Sequence, residues 1–183
     1  MSERRTEARR RRAREFEAFV AGAAGRLLHA ATLLTAETPE HNPHARRLLT
    51  TALAHTYAEW DRLRGEDPYD RTRTDLTVRF ARHARRHQRA RGGPLGVLTP
   101  RERLIVVLRL YEGIAEEQTA AVTGLPVGRV RAICRRAVGT VCDATPAPLT
   151  AAAPTPAPAS TPAPAPTPTP TSTPAPAPAE TAS

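Results

Sequence analysis

The last forty residues of the chain decide how much of it can fold. From Ala144 onward almost every residue is alanine, proline, threonine or serine, and 13 of the 19 prolines lie there. Such a segment has almost no large apolar side chain to bury, so it cannot offset the entropy lost on folding. We therefore expect a disordered Pro/Ala/Thr-rich tail over 142–183. The remainder is long enough for one compact domain or two small helical domains.

The part that precedes the tail is strongly basic. All 27 basic residues lie in it, every one of them is arginine, and 17 of the 18 acids accompany them, for a net charge of +10. Arginine makes forked contacts with phosphates and guanines. A polyanionic partner is therefore the favoured interpretation. The alternative is a charge that only keeps the protein soluble.

Cysteine usage and hydropathy indicate where such a chain works. Cys134 and Cys142 are the only cysteines, which is typical of a reducing compartment rather than of a disulfide framework. The most apolar stretch, 21–34, is interrupted by Arg26 and His29, so we expect neither a membrane span nor a signal peptide. The sequence predicts a cytoplasmic protein with no membrane partner.

Apolar residues recur at three- and four-residue spacing in the N-terminal half, whereas strand patterns are nearly absent. This periodicity predicts an all-α fold. Three helices are expected, over about 14–34, 44–63 and 71–89. Their apolar stripes are Phe16, Phe19, Val20, Ala23, Leu27, Ala31 and Leu34; Leu48, Leu49, Ala52, Leu53, Thr56, Tyr57, Trp60 and Leu63; and Leu76, Phe80 and Ala84.

A glycine-rich segment, Arg91-Gly-Gly-Pro-Leu-Gly, separates these helices from the rest. We interpret 91–97 as a linker between two small helical domains, 14–90 and 98–141. Residues 1–13 form a basic N-terminal arm, which serves as a general attractor of phosphates.

The second domain has the spacing of a helix-turn-helix. Thr99, Pro100 and Glu102 make a capping box with proline at the first helical position, and Gly113 ends that helix. A short helix follows over 116–122, and another over 126–139. Where two helices cross closely a small residue is needed, here Ala120, and the turn needs a left-handed residue, here Gly124.

The last helix has two different faces. Val127, Val130 and Cys134 are one turn apart and are expected to face inward. Four arginines lie between them and are expected to face DNA, as in a recognition helix. They are Arg129, Arg131, Arg135 and Arg136. A basic helical hairpin with no role in DNA binding is the alternative.

Several motifs of this domain resemble region 4 of the extracytoplasmic-function sigma factors, compact members of the sigma-70 family of RNA polymerase. They are Leu98-Thr-Pro-Arg-Glu-Arg, Val106-Val-Leu-Arg-Leu-Tyr-Glu-Gly, Glu117-Gln-Thr-Ala-Ala and Gly124-Leu-Pro-Val-Gly-Arg-Val-Arg. LuxR-type response-regulator domains begin with a similar Leu-Thr-Pro-Arg-Glu stretch. The later Tyr-Glu and Val-Gly-Arg-Val-Arg favour the sigma resemblance.

The resemblance implies that this domain reads the promoter −35 element and docks on the flap of the polymerase β subunit. Arg129 and Arg131 would then face the major groove, while Arg135 and Arg136 would contact the DNA backbone. Pro126 begins the recognition helix and is a further candidate DNA contact. Gln118 and Thr119 would touch phosphate, helped by the positive end of their helix. Thr123 replaces a usual aliphatic residue, and Ile133 replaces a frequent arginine.

The N-terminal half resembles sigma region 2, through Glu15-Phe-Glu-Ala-Phe, Ala31-Thr-Leu-Leu-Thr and Ala52-Leu-Ala-His-Thr-Tyr-Ala-Glu-Trp. In the family, the second helix of region 2 binds the clamp of the polymerase β′ subunit with an acid, two aliphatic residues and Gln-Glu. Arg47, Leu48, Thr50 and Thr51 are the corresponding candidate contacts here. An acid has become a base, which changes the interface with the clamp.

Two functional hypotheses follow. One is a divergent extracytoplasmic-function sigma factor, of the kind found in actinobacteria, whose partners are promoter DNA and core RNA polymerase, with an anti-sigma factor as a further candidate. The other is a sigma-derived regulator that binds DNA without melting promoters. An enzyme is not expected, because His83 and His87 lack a third zinc ligand or a general base, and no catalytic residue, metal or other cofactor is predicted.

Overall fold

A computed structural model describes residues 2–63, 65–89 and 92–144. These residues form helices and connecting turns without a strand, which confirms the all-α prediction. The α-helices are α1 Ser2–Thr35, α2 Pro43–Glu59, α3 Pro68–Arg82, α4 Pro100–Val106, α5 Glu116–Thr123 and α6 Val127–Ala144. A turn of 3₁₀ helix, Trp60–Arg62, follows α2, and another, Ala84–His87, follows α3. A π-helical turn, Val107–Tyr111, continues α4.

The C-terminal helix α6 runs past the predicted start of the tail. Cys142 and Asp143 belong to this helix, which ends at Ala144. The rest of the predicted disordered tail, 145–183, lies outside the described residues.

The basic arm is the first part of α1 rather than a separate segment. Its side chains are almost all exposed, and the buried stripe begins only at Ala23. Arginine and glutamate are good helix formers, and Arg11 pairs with Glu15 one turn later at 3.7 Å. These residues therefore extend the helix that the apolar stripe anchors.

Helix α1 contains a long apolar stretch. Within Glu3–Thr35, an 18-residue window is apolar enough, by length and composition alone, to cross a membrane. Packing accounts for it, because 39% of the window is buried inside the protein. Leu27 and Leu34 are fully buried there, so we interpret α1 as a core helix.

Helices α2 and α3 pack beside α1 through small and polar residues as well as apolar ones. The hydroxyl groups of Thr56 and Thr72, both buried, are 2.8 Å apart. Helix α3 ends at Arg82 rather than at the predicted Arg89, and the chain tightens into 3₁₀ helix. His87 is buried and stacks on Phe80 with ring centroids 5.1 Å apart.

The loop between α1 and α2 is organised around the buried carboxylate of Glu37. This carboxylate accepts hydrogen bonds from the backbone N–H groups of Ala45, at 2.8 Å, and His44, at 3.1 Å. The Thr35 hydroxyl, at 2.9 Å, and the His44 ring, at 2.6 Å, also contact it. Burial raises the pKa of Glu37, but these hydrogen bonds outweigh burial and hold the pKa below its ordinary value. Glu37 therefore caps α2.

The two predicted domains share one hydrophobic cluster. Leu27 and Leu34 of α1 lie in the same cluster as Leu98, Val107 of the π-helical turn and Ala137 of α6. The described residues thus pack as one compact unit. A functional boundary between 14–90 and 98–141 stays a prediction.

The predicted linker is packed against the loop between α1 and α2. The Gly93 N–H donates to the Ala36 carbonyl at 3.0 Å, and Leu95 is buried in the shared cluster. A Cβ atom at Gly93 would lie 2.3 Å from the Glu37 carbonyl oxygen. Only glycine fits this close approach of two backbone segments.

Buried polar contacts also join the two halves. The Glu112 side chain, 1% exposed, accepts hydrogen bonds from the Tyr69 hydroxyl at 3.0 and 3.1 Å and from Arg26 at 3.4 Å. Burial, together with the neighbouring Glu112 carboxylate, raises the pKa of Tyr69. Arg103 is fully buried and donates to the backbone carbonyl oxygens of Leu34 and His87. These contacts fix α4 and its π-helical turn against α1 and α3.

Candidate DNA-binding helix-turn-helix

Helix α4 begins with the predicted capping box. Thr99 Oγ1 accepts from the Glu102 N–H at 3.4 Å, and the Glu102 carboxylate accepts from the Thr99 N–H at 3.0 Å. Arg136 of α6 also donates to Glu102, at 3.2 Å. Partial burial raises the pKa of Glu102, but the hydrogen bonds from Thr99 and Arg136 hold it below its ordinary value. The cap therefore connects the first helix of the domain to the last.

The turn between α5 and α6 has the predicted geometry. Gly124 has φ 66° and ψ 27°, in the left-handed region, and the Leu125 N–H donates to the Ala120 carbonyl at 3.2 Å. Ala120 is buried at the crossing point, as expected. Thr123, which replaces an aliphatic residue of the family, is half-buried, and its hydroxyl donates to the Thr119 carbonyl at 2.8 Å.

A small second cluster holds α6 against α4 and α5. Its buried members are Ile105, Ala120, Val130 and Ile133, with Leu125, Val127 and Cys134 half-buried around them. Ile133 stands where an arginine is frequent in the family. The structure shows that its side chain faces inward, 6% exposed, so an arginine there could not reach DNA without repacking this cluster.

All four arginines of α6 are exposed and lie outside this cluster. Two of them have acidic partners that the sequence did not indicate. Arg131 pairs with Glu116 of α5 at 2.6 Å, and Arg136 pairs with Glu102. Among the residues that the structure describes, no acid forms an ion pair with Arg129 or Arg135.

The first turn of α5 differs from the expected phosphate site. Gln118 is exposed, but Thr119 is fully buried, so its side chain does not reach a phosphate and the expectation is corrected. Glu116 and Glu117 occupy the first turn and offset the positive end of the helix. Pro126 is exposed, and its carbonyl accepts from the N–H groups of Arg129 and Val130, which places it at the start of α6.

Comparisons with known proteins agree with this geometry. Residues 95–141 match the family model described as Sigma-70, region 4. The chain is 31% identical over 149 residues to an RNA polymerase sigma-E factor of Streptomyces avermitilis, which covers 68% of this chain and 81% of that protein. An RNA polymerase sigma-E factor of Streptomyces coelicolor is 30% identical over 151 residues, covering 68% and 82%. No solved structure is significantly similar to the chain.

The chain belongs to the sigma-70 family of RNA polymerase sigma factors. It is a transcription initiation factor of the extracytoplasmic-function type, with relatives in actinobacteria. Helices α4, α5 and α6 are its region 4, and they contain the helix-turn-helix that binds DNA.

The N-terminal half of this sigma factor presents Arg47 on the exposed side of α2. Arg47, Thr50 and Thr51 are exposed and Leu48 is half-buried. The Thr51 hydroxyl donates to the Arg47 carbonyl at 2.8 Å, within the helix. All but Thr50 line a cleft of about 400 Å³ between α2 and the end of α3. His44, Arg79, His83, Arg86 and His87 complete its lining.

The histidines of this cleft have structural contacts. The His44 ring contacts Glu37, and a ring nitrogen of His83 lies 2.9 Å from the Arg79 carbonyl. In the described ranges, no three His, Cys, Asp or Glu side chains are grouped as metal ligands. The lining arginines, Arg47, Arg79 and Arg86, make the cleft basic.

The arm of the sigma factor is fixed by an aromatic cluster. Arg12 lies over the Tyr57 ring, 4.5 Å from its centroid, and pairs with Asp61 at 2.9 Å. Phe16 contacts Tyr57 and Trp60, with ring centroids 4.8 and 5.2 Å apart. Arg12 is thus held by the protein, whereas Arg4, Arg5, Arg9 and Arg10 are fully on the surface.

Proposed function

We propose that α6 of this sigma factor reads the promoter −35 element in the major groove, while region 4 docks on the flap of the polymerase β subunit. The observation that carries the proposal is the division of α6 into two faces. Val130 and Ile133 are buried against the rest of the domain, whereas the four arginines of α6 are exposed. This arrangement leaves the basic face open to a groove.

The charge of the chain supports a nucleic-acid partner. Its formal net charge is +9, and the exposed arginines of α1 and α6 contribute to it. Such a surface attracts DNA at long range and independently of sequence. The proposed location is the cytoplasm, where RNA polymerase acts.

The DNA proposal is tested with a randomised duplex library. Full-length protein is incubated with the library, bound duplexes are amplified over several rounds, and the enriched sequences are read. We expect one short motif, and we expect it upstream of transcripts made by core polymerase with this sigma factor. Enrichment without any common motif would contradict sequence reading by α6.

A second candidate function rests on Arg47. A base here replaces the acid that the family resemblance predicts for binding the β′ clamp. Reversing a charge at an interface of the opposite sign costs on the order of several kcal/mol. This observation favours a regulator that binds DNA or the β flap but not the clamp. An anti-sigma factor is a further proposed partner under either function.

An anisotropy titration separates the two functions. Labelled full-length protein is titrated with core RNA polymerase, alongside Arg47→Asp. Arg14→Asp is the matched control, because Arg14 is exposed on α1 and outside the cleft. Tight binding by the wild type supports a working sigma factor. Weak binding that Arg47→Asp strengthens at least tenfold, and Arg14→Asp leaves unchanged, supports the regulator.

A further inference from the structure

Arg131 of α6 is held side-on by Glu116 of α5. Arg131 Nε lies 3.0 Å from Glu116 Oε2 and 3.3 Å from Oε1, and Nη2 lies 2.6 Å from Oε2. The Arg131 side chain nevertheless remains 57% exposed, against 21% for Glu116. The acid therefore lies behind the arginine rather than covering it.

The side-on geometry leaves several N–H donors of the guanidinium free to contact a base. A guanidinium has five N–H donors. Glu116 takes the Nε–H and one Nη2–H, which leaves both Nη1–H groups and the second Nη2–H. Arginine reads guanine with a pair of such donors, which reach O6 and N7. The pairing thus orients Arg131 and still leaves a pair of N–H donors for a guanine.

The other three arginines of α6 lack this combination. Arg136 contacts Glu102 through Nη2 alone, at 3.2 Å, and that carboxylate already serves the capping box. No ion pair to a described residue holds Arg129 or Arg135. An unrestrained arginine loses its rotamer freedom when it binds, whereas a restrained one has already lost it. Arg131 is therefore the arginine best prepared to read a base.

We propose that Glu116 is a positioning residue that fixes Arg131 for recognition of one guanine in the promoter element. The inference rests on the proposed DNA reading by α6 and adds a specificity-determining pair to it. The Glu116 carboxylate also repels nearby phosphates. Its removal is therefore expected to change two quantities in opposite directions, because binding to all DNA tightens while preference for guanine falls.

The experiment measures both quantities on the full-length protein. Dissociation constants are determined by anisotropy for the enriched duplex, for duplexes with each guanine replaced by adenine, and for a random duplex. The variants are Glu116→Gln, Arg131→Ala and their combination. Glu117→Gln is the matched control, because it removes the same charge from the exposed neighbouring residue. Thermal melting of each variant checks that the fold is intact.

At one guanine we expect a wild-type preference of about 5- to 150-fold, the range of a forked arginine–guanine contact. Arg131→Ala should abolish this preference, and Glu116→Gln should reduce it about fivefold or more while strengthening binding to random DNA. Glu117→Gln should strengthen binding to random DNA and leave the preference unchanged. In the Arg131→Ala background, Glu116→Gln should have no effect on the preference.

Failure of this inference is distinguishable from failure of the proposed function. A wild type without base preference contradicts DNA reading by α6 itself. A wild type that discriminates, with the preference unchanged in Glu116→Gln or in Arg131→Ala, overturns the positioning role alone. Equal loss of preference in Glu116→Gln and Glu117→Gln would also overturn it, because a general charge effect would then explain the result. If Glu116→Gln lowers the melting temperature, the combined variant is compared with Arg131→Ala alone. A change in guanine preference between these two variants would contradict the pairing, because it could not act through Arg131.

Discussion

Arg103 Nη1 donates a hydrogen bond to the backbone carbonyl oxygen of Leu34, 69 residues earlier in the chain, at 2.9 Å. The arginine is fully buried, and its second guanidinium nitrogen donates to the His87 carbonyl. One side chain of α4 therefore binds the last turn of α1 and the segment after α3 at the same time. This is a structural role for a residue whose type and position in a basic sequence indicate only surface charge.

Arg103→Met should destabilise the protein strongly. The substitution leaves the Leu34 and His87 carbonyls without this donor, and an unsatisfied buried polar group costs about 1–3 kcal/mol. Relief from burying the guanidinium offsets part of the loss, so we expect the free energy of unfolding to fall by about 2–4 kcal/mol. Urea denaturation followed by circular dichroism measures it. Arg101→Met, exposed on the same helix, is the control, and equal stability of the two variants would contradict this role.

Glu37→Gln should lower the free energy of unfolding by about 1–3 kcal/mol at pH 7, because the amide accepts fewer hydrogen bonds at the start of α2. The folded-state pKa of Glu37 lies below its ordinary value. Its ionisation therefore stabilises the fold above the unfolded-state pKa, about 4.3. That stability is lost as the pH falls through the folded-state pKa.

The difference between wild type and Glu37→Gln should accordingly be constant above about pH 5 and shrink below about pH 4. Thermal melts across this range provide the measurement. Glu40→Gln, an exposed change in the same loop, should show no such dependence. A gap between wild type and Glu37→Gln that widens on acidification would reverse the sign and refute the cap.

Gly93→Ala should destabilise the protein although alanine adds a single methyl group. The new Cβ would lie 2.3 Å from the Glu37 carbonyl oxygen and 2.8 Å from that of Ala36, and backbone cannot move aside as a flexible side chain does. We expect a loss of about 1–3 kcal/mol, the range for overpacking. Gly139→Ala is the matched control in α6, where nothing lies within 4 Å. It should stabilise the helix by about 0.5–1 kcal/mol, and a similar loss in both variants would contradict the close approach.

Arg135→Ala should weaken binding to all DNA sequences alike, because this exposed arginine is expected to contact the DNA backbone and forms no ion pair with a described acid. The logarithm of the association constant falls with the logarithm of salt concentration by about 0.9 per phosphate neutralised, so the slope should decrease by about one. Titrations at several salt concentrations on the enriched and random duplexes measure it. Loss confined to the enriched duplex would make Arg135 a base reader instead, and a flat wild-type slope would exclude DNA as the partner.

Local chemistry made much of region 4 predictable. The capping box at Thr99 and Glu102, the small residue Ala120 and the left-handed Gly124 each depend on neighbours within a few residues. Periodicity identified Val130 as inward-facing for the same reason. The resemblance then supplied the family, which the comparisons confirmed.

Contacts between distant segments could not be obtained in this way. Glu116 and Arg131 are 15 residues apart on different helices, and their pairing depends on the crossing of α5 and α6. His87 and Arg103 are polar residues whose burial depends on the shared cluster. Ile133 lies about one turn from Val130 and is buried with it, which the arginine frequent at this position in the family does not indicate.

The cluster shared by Ala137, Val107 and Leu27 limits how this sigma factor can be re-engineered. In a chimera that takes its whole region 4 from a paralogue, the core side chains of region 4 would be shaped to pack against the α1 of that paralogue. Such a graft would have to rebuild the core as well as the recognition helix. Changes restricted to the outward residues of α6 leave the core untouched. New promoter specificities should therefore be obtained by editing that single surface, and not by exchanging modules.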